Sequence, residues 1–219
     1  MKKKINKKTQ AAAKDNKYVF IVLISIITLA VYGNSLSNDF VYDDESLIMG
    51  DPSITSLSNI PGYFTGSEGF QKVMGRYYRP AVSSSYSIDY SIWGLKPFGF
   101  HLTNVLIHVI NSVLFFQFLL LVFRRYRNEK NYQQISFFSF AGALIFAVHP
   151  VHTEAVSWIS GRTDSLSFTF FISAFVCYLK YSENDNSKKK IYLILTFIFY
   201  AISLVAKEVP VIFPAAVFY

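Results

Sequence analysis

Residues 101–123 read HLTNVLIHVINSVLFFQFLLLVF, an unbroken stretch without a single Asp, Glu, Lys or Arg. A helix that crosses the hydrocarbon layer of a bilayer needs about 17–25 predominantly apolar residues, and this stretch meets that requirement. Within it, His101, Asn104, His108 and Asn111 follow one another by steps of three, four and three. That spacing puts all four on one helical face. Hydrogen bonding to neighbouring helices accounts for such a stripe without any chemistry, and a polar site at membrane depth accounts for it equally.

Further apolar blocks lie on either side, at 18–36, 135–148, 165–181 and 191–206, the one at 135–148 being short. Another begins near Val209 and is still apolar at Tyr219, which reads as part of a longer protein. Over all 219 residues, 52% are hydrophobic and only 16% charged, against roughly a quarter charged in a soluble domain. The expectation is an all-α integral membrane protein: a multi-span helical bundle with five complete spans and the start of a sixth. The block at 18–36 has a basic front end but no small-x-small cleavage site, so it reads as an uncleaved signal anchor.

The net charge of +7 is distributed by topology. Seven lysines (2, 3, 4, 7, 8, 14 and 17) precede the first block; Arg124, Arg125, Arg127 and Lys130 follow the second; Lys180, Lys188, Lys189 and Lys190 surround the gap after the fourth. Basic runs between apolar blocks mark cytoplasmic segments. They carry no interleaved stacking aromatics, which argues against nucleic acid as a partner. The lone Cys177 allows no internal disulfide.

The resulting division is a cytoplasmic tail (1–17), first span (18–36), large first extracytoplasmic loop (37–100), second span (101–123) and cytoplasmic loop (124–134). The third span (135–148), second extracytoplasmic loop (149–164), fourth span (165–181), cytoplasmic loop (182–190) and fifth span (191–206) follow. Residues 207–219 are a turn and the start of the sixth. The first outer loop holds Asp39, Asp43, Asp44, Glu45, Asp51, Glu68 and Asp89 against Lys72, Arg76, Arg79 and Lys96, so it is acidic. Over Ala81–Trp93, helical spacing of Tyr86, Tyr90 and Trp93 predicts a helix, either along the membrane surface or packing a small loop core.

Two outer segments concentrate reactive groups. Phe40-Val41-Tyr42-Asp43-Asp44-Glu45 places three successive acids beside an apolar run that holds them near the bilayer. Mutual repulsion raises at least one carboxyl pKa unless a cation intervenes. Such a group serves as a base or a metal ligand, and a solvated acidic turn is the plain alternative. His149-Pro150-Val151-His152-Thr153-Glu154, continuing to Gly161-Arg162-Thr163-Asp164, packs two His, two acids and an Arg into sixteen residues. The His spacing fits no established zinc pattern, but an Arg fork suits phosphate oxygens. A polar inter-helix turn capped by Thr163 and Asp164 is the plain reading here.

These segments are similar to the TMTC-type protein O-mannosyltransferases and their bacterial relatives, which are glycosyltransferases of the GT-C class. The resemblance is carried by Tyr32-Gly33-Asn34-Ser35, Phe40-Val41-Tyr42-Asp43-Asp44, Tyr78-Arg79-Pro80, Gly99-Phe100-His101-Leu102-Thr103-Asn104, His149 to Val156 with Gly161-Arg162-Thr163-Asp164, and Lys207-Glu208. It runs in order over residues 31–214. It implies a GT-C-like bundle and transfer of a sugar, mannose by family, from a polyprenyl-phosphate donor to an extracytoplasmic acceptor, a protein Ser/Thr hydroxyl or a glycan. It also implies a catalytic acid in the first outer loop, matching Asp43 and Asp44, and tetratricopeptide repeats further along many members.

On that resemblance Asp43 is expected to act as base, with Asp44 orienting the acceptor or helping to hold a divalent Mg or Mn ion, the metal requirement being open. Arg79, Arg162 and Lys207 are expected to meet the donor phosphate; His149, His152, Glu154 and Asp164 are expected to line the same site. The N-terminus is expected to be cytoplasmic, with short basic loops favouring a bacterial cytoplasmic membrane over the endoplasmic reticulum. Two readings from other classes remain: a catalytically silent scaffold that binds lipid-linked sugar or a protein, and a secondary transporter with the polar stripe as its path. Asp43 variants assayed for transfer and for donor binding discriminate them.

Overall fold

The computed structural model describes residues 7–66, 77–126, 132–183 and 189–218. Lys2, Lys3, Lys4, Glu68, Lys72, Arg76, Arg127, Lys130 and Lys188 lie outside the described residues. Among the described residues all regular structure is helical. The α-helices are α1 (Lys7–Tyr32), α2 (Ile60–Thr65), α3 (Pro80–Trp93), α4 (Pro97–Tyr126), α5 (Tyr132–Val148), α6 (Thr153–Ser157), α7 (Arg162–Glu183), α8 (Lys189–Leu204) and α9 (Phe213–Phe218).

Two segments, Lys17–Ser37 and Pro97–Arg125, are long and apolar enough to cross a membrane. A third arises if α5 and the segment Pro150–Ser157, bent by 47° from it, count as one span. The bend has a local cause. Proline lacks an N–H and disfavours helix in the residue before it, and His149 ahead of Pro150 is extended at φ −67° and ψ 128°. α8, at 16 residues, is shorter than a span of ordinary length, while α7 has the length, 22 residues, but opens on Arg162, Thr163 and Asp164.

The bundle is apolar outside as well as inside. Val19, Val22 and Ile26 on α1, and Ile191, Ile194 and Phe197 on α8, are all exposed. A water-soluble protein would turn such faces inward; a lipid-facing one has no reason to. Within the membrane part, Ile24 of α1, Phe116 and Leu120 of α4, and Ile135, Ala143 and Ala147 of α5 form one core. Phe20 stacks on Phe140 at 4.5 Å between centroids, joining α1 to α5.

A second core lies where the loops at 37–100 and 149–164 meet. Ile48 and Ile54 from the first outer loop meet Val82 and Tyr86 of α3, Phe100 at the head of α4, Ile159 of the second outer loop and Ala206 after α8. The described parts of the loops at 37–100 and 149–164 are thus a folded layer. The expected helix over Ala81–Trp93 forms as α3. Its Tyr86 is buried in this core, so the loop-core alternative, not a headgroup position, describes that side chain.

Candidate functional site

The polar stripe of α4 is buried throughout: His101, Asn104, His108 and Asn111 are at most 2% exposed. Three of them are interhelix ties. The Asn104 amide donates to the carbonyls of Val156, Trp158 and Ile159 at 3.0–3.3 Å. The Asn111 amide donates to Ser165 O at 2.9 Å, while its oxygen accepts from the Thr169 hydroxyl at 2.7 Å. His108 Nε2 bonds the Ala147 carbonyl at 3.0 Å. His101 has no hydrogen bond to either ring nitrogen among the described residues.

Arg162 opens α7 and is completely buried. Its Nη1 lies 2.6 Å from Asp89 Oδ2. Nε donates to Asn104 Oδ1 at 2.7 Å, Nη2 to Phe100 O at 2.8 Å, and Nη1 also to Ser85 Oγ at 3.2 Å. The guanidinium lies over the Tyr86 ring at 4.8 Å. Burial pushes the Asp89 carboxyl up, against the Arg162 charge and the Thr103 hydroxyl bond; burial also pushes the Tyr86 phenol up to about 12. Arg162, expected to meet the donor phosphate, thus has its fork turned inward and bonded to Asp89, Asn104, Ser85 and the Phe100 carbonyl.

The acidic turn divides its carboxylates. Tyr42 takes a left-handed φ of 52°, which is costly for a residue with a Cβ. Beyond that corner Asp43 is exposed and Asp44 fully buried. Asp44 Oδ1 accepts from Ser160 N–H at 2.9 Å and Ser160 Oγ–H at 2.5 Å, while Oδ2 accepts from Val41 N–H at 3.1 Å. Trp158 Nε1 adds a bond to Val41 O at 3.3 Å. These bonds join the two outer loops across 116 and 117 positions of sequence. Asp44, expected to orient the acceptor or help hold a metal, is thus tied to the second loop through Oδ1 and to its own turn through Oδ2. Among the described residues no group of three His, Cys, Asp or Glu side chains is placed to hold a metal ion.

Asp43 instead faces an open cleft of about 470 Å³ with Val41, Tyr42, Glu154 and Trp158. A second space, about 320 Å³, lies between α4, α7 and the turn after α8. Phe146, Phe168, Phe171 and Ile212 give it apolar walls, and His152, Asp164 and Lys207 give it polar groups. Lys207 and Asp164 form an ion pair there. The short helix α6 separates the two spaces, with His152 and Ala155 on the cavity and Glu154 and Trp158 on the cleft.

Two expected site residues sit at the margins. Arg79, half-buried, reaches Glu208 at 3.6 Å and lies over Tyr77 at 4.5 Å. His149 is exposed and caps the turn after α5, its Nδ1 accepting from Val151 N–H at 3.1 Å. Asp89, Ser160 and Trp158 are the residues that sequence reasoning missed. Serines and single aromatics carry no positional signal, and Asp89 read only as one more outer acid.

Comparison with curated proteins places this arrangement. The chain is 33% identical to mouse protein O-mannosyl-transferase TMTC3 over 198 residues, covering 89% of the chain and 20% of the relative. Mouse protein O-mannosyl-transferase TMTC2 is 34% identical over 72% of the chain and 18% of its own length. The chain is a homologue of the TMTC-type protein O-mannosyltransferases. Human TMTC4 is 28% identical over 85% of the chain and 27% of the relative. The chain thus spans about a fifth of the length of the TMTC3 and TMTC2 relatives, and about a quarter of TMTC4. No protein-family model matches the chain, and no solved structure matches it.

Proposed function

We propose that this chain forms the membrane-embedded catalytic part of a GT-C-type enzyme that moves mannose from a polyprenyl-phosphate donor to a Ser/Thr hydroxyl of an extracytoplasmic protein. The observation that carries the reading is the split acidic turn: Asp44 fastens the two loops together while its neighbour Asp43 is exposed in a cleft, one short helix away from an amphiphilic cavity. The names of the TMTC relatives support the reaction class.

In this scheme the acceptor hydroxyl enters the cleft, and Asp43 takes its proton as the oxygen attacks the anomeric carbon. The new C–O bond forms as the bond from that carbon to the phosphate oxygen breaks, with inversion. Polyprenyl phosphate leaves with the electron pair. Lys207 and Arg79 are the cations near the outer surface that stabilise the leaving charge, with His152 and Asp164 beside the phosphate and His149 and Glu154 bordering the sugar. The aromatic cavity walls suit the first units of the lipid, whose tail stays in the bilayer. α7 and α8 cross the membrane with the other spans, the N-terminus is cytoplasmic, and both loops with reactive groups face outward.

Replacement of Asp43 by Asn is expected to lower transfer from mannosyl-phosphoryl-polyprenol to a Ser/Thr peptide by about 10²–10⁴-fold, the usual range for a lost general base. Membrane insertion should be unchanged. A fully active Asp43→Asn enzyme sinks the assignment. Donor binding that survives in a wild-type chain with no transfer would instead identify a silent lipid-sugar binder.

A further inference from the structure

We infer that Arg162, Asp89 and Asn104 are positioning residues that hold the Asp43 turn in place through the backbone of residues 156–160. The inference rests on Asp43 being the base, as proposed above, but the linkage itself is structural. Arg162 is bound on several sides: to Asp89 at 2.6 Å, to Asn104 at 2.7 Å and to the Phe100 carbonyl at 2.8 Å. Asn104, oriented by Arg162 through its oxygen, uses its amide to gather the carbonyls of Val156, Trp158 and Ile159. Those residues lead directly to the two groups that grip the first loop. Ser160 holds Asp44 by two hydrogen bonds, and Trp158 holds the Val41 carbonyl. Asp43 lies between Val41 and Asp44 in sequence and has no other tie to the second loop in these bonds.

The chemistry fits this task better than phosphate binding. A guanidinium with 0% exposure, already paired with a carboxylate, would have to abandon a buried partner to reach a donor, leaving Asp89 charged and unpaired. Planar, multiply bonded Arg is suited to fixing several groups in one geometry, and Lys cannot reproduce that fork. A turn whose base must sit within tenths of an ångström of a hydroxyl gains from being fixed at both ends.

The test uses the full chain in liposomes with Arg162→Lys, Asp89→Asn and Ser160→Ala. The sequence has two tryptophans, Trp93 and Trp158, so a Trp93→Phe background makes Trp158 emission a direct report on the loop junction. All three variants are expected to red-shift that emission and raise its quenching by acrylamide. Transfer from mannosyl-phosphoryl-polyprenol is expected to fall about 100-fold in kcat, with the donor KM changed by less than about twofold. Whatever Ser160→Ala does, unchanged emission in Arg162→Lys and Asp89→Asn overturns the inference. So does a raised donor KM at constant kcat in Arg162→Lys alone, which is the signature of a phosphate contact. If Arg162→Lys does not insert, Asp89→Asn, which removes the partner charge and leaves Ser160 bonded to Asp44, carries the decision. If the unmodified chain transfers no mannose, the proposed function fails while the emission arm still upholds or overturns the linkage.

Discussion

Gly161 occupies a place where a side chain does not fit: a Cβ there would lie 2.2 Å from the Glu154 carbonyl oxygen and 3.0 Å from the Ala155 Cα. Both obstacles are backbone, so relief requires α6 itself to shift. Gly161→Ala is expected to cost about 1–3 kcal/mol, in the range of overpacked sites, and to appear as a lower thermal midpoint in detergent. Tyr86 gives a pH prediction. Its phenol is pushed up to about 12 by burial, against an ordinary value of about 10. Between these values the unfolded chain has released a proton that the folded chain retains, so stability falls as pH rises through that window. Tyr86→Phe should flatten this alkaline slope, measured as the thermal midpoint between pH 9 and pH 11. At this scale the sequence marked Asp43, Asp44 and Arg162 as special but not which way each faces. Adjacent acids have identical local signals, and the left-handed corner at Tyr42 is set by what the chain must reach.

α4 is the element around which the others are arranged. Its stripe was legible as periodicity, and the ties made by Asn104, His108 and Asn111 give it the interhelix role that periodicity left open. Asn111→Leu removes one bond to Ser165 and one from Thr169; Asn104→Leu removes three carbonyl bonds and one from Arg162. Both should destabilise, by about 1–3 kcal/mol for each buried polar group left unsatisfied. The Asn104 variant is expected to be the more costly of the two by denaturant titration. α3 shows the opposite case. Its helical spacing was readable, but whether Tyr86 met lipid headgroups or protein depended on Phe100 of the next helix and on Ile159, far along the chain.

For the whole molecule, the described parts of the loops at 37–100 and 149–164 join in one layer, and Lys17, Arg124 and Lys180 are neighbours elsewhere in the bundle. In a Cys177→Ser background, a membrane-impermeant thiol reagent added outside should label Met49→Cys and leave Glu183→Cys unlabelled until the membrane is opened. Met49 and Glu183 are both exposed, so accessibility reflects sidedness. The reverse pattern would overturn the orientation drawn from the lysine and arginine runs. By itself the sequence determined that this is an all-helical membrane protein, that its acids and histidines belong beside one another along the chain, and that it resembles the TMTC-type enzymes. Those properties are set by composition, periodicity and local motif, which act over a few turns of helix. Only the tertiary structure decided that Asp44 and Arg162 turn inward, that Asp89 is the partner of Arg162, and that Asp43 faces a cleft with Glu154 and Trp158. The physical reason is that burial and pairing of these charges are fixed by contacts between segments tens to more than a hundred residues apart, and a buried charge must find its partner wherever the fold provides one.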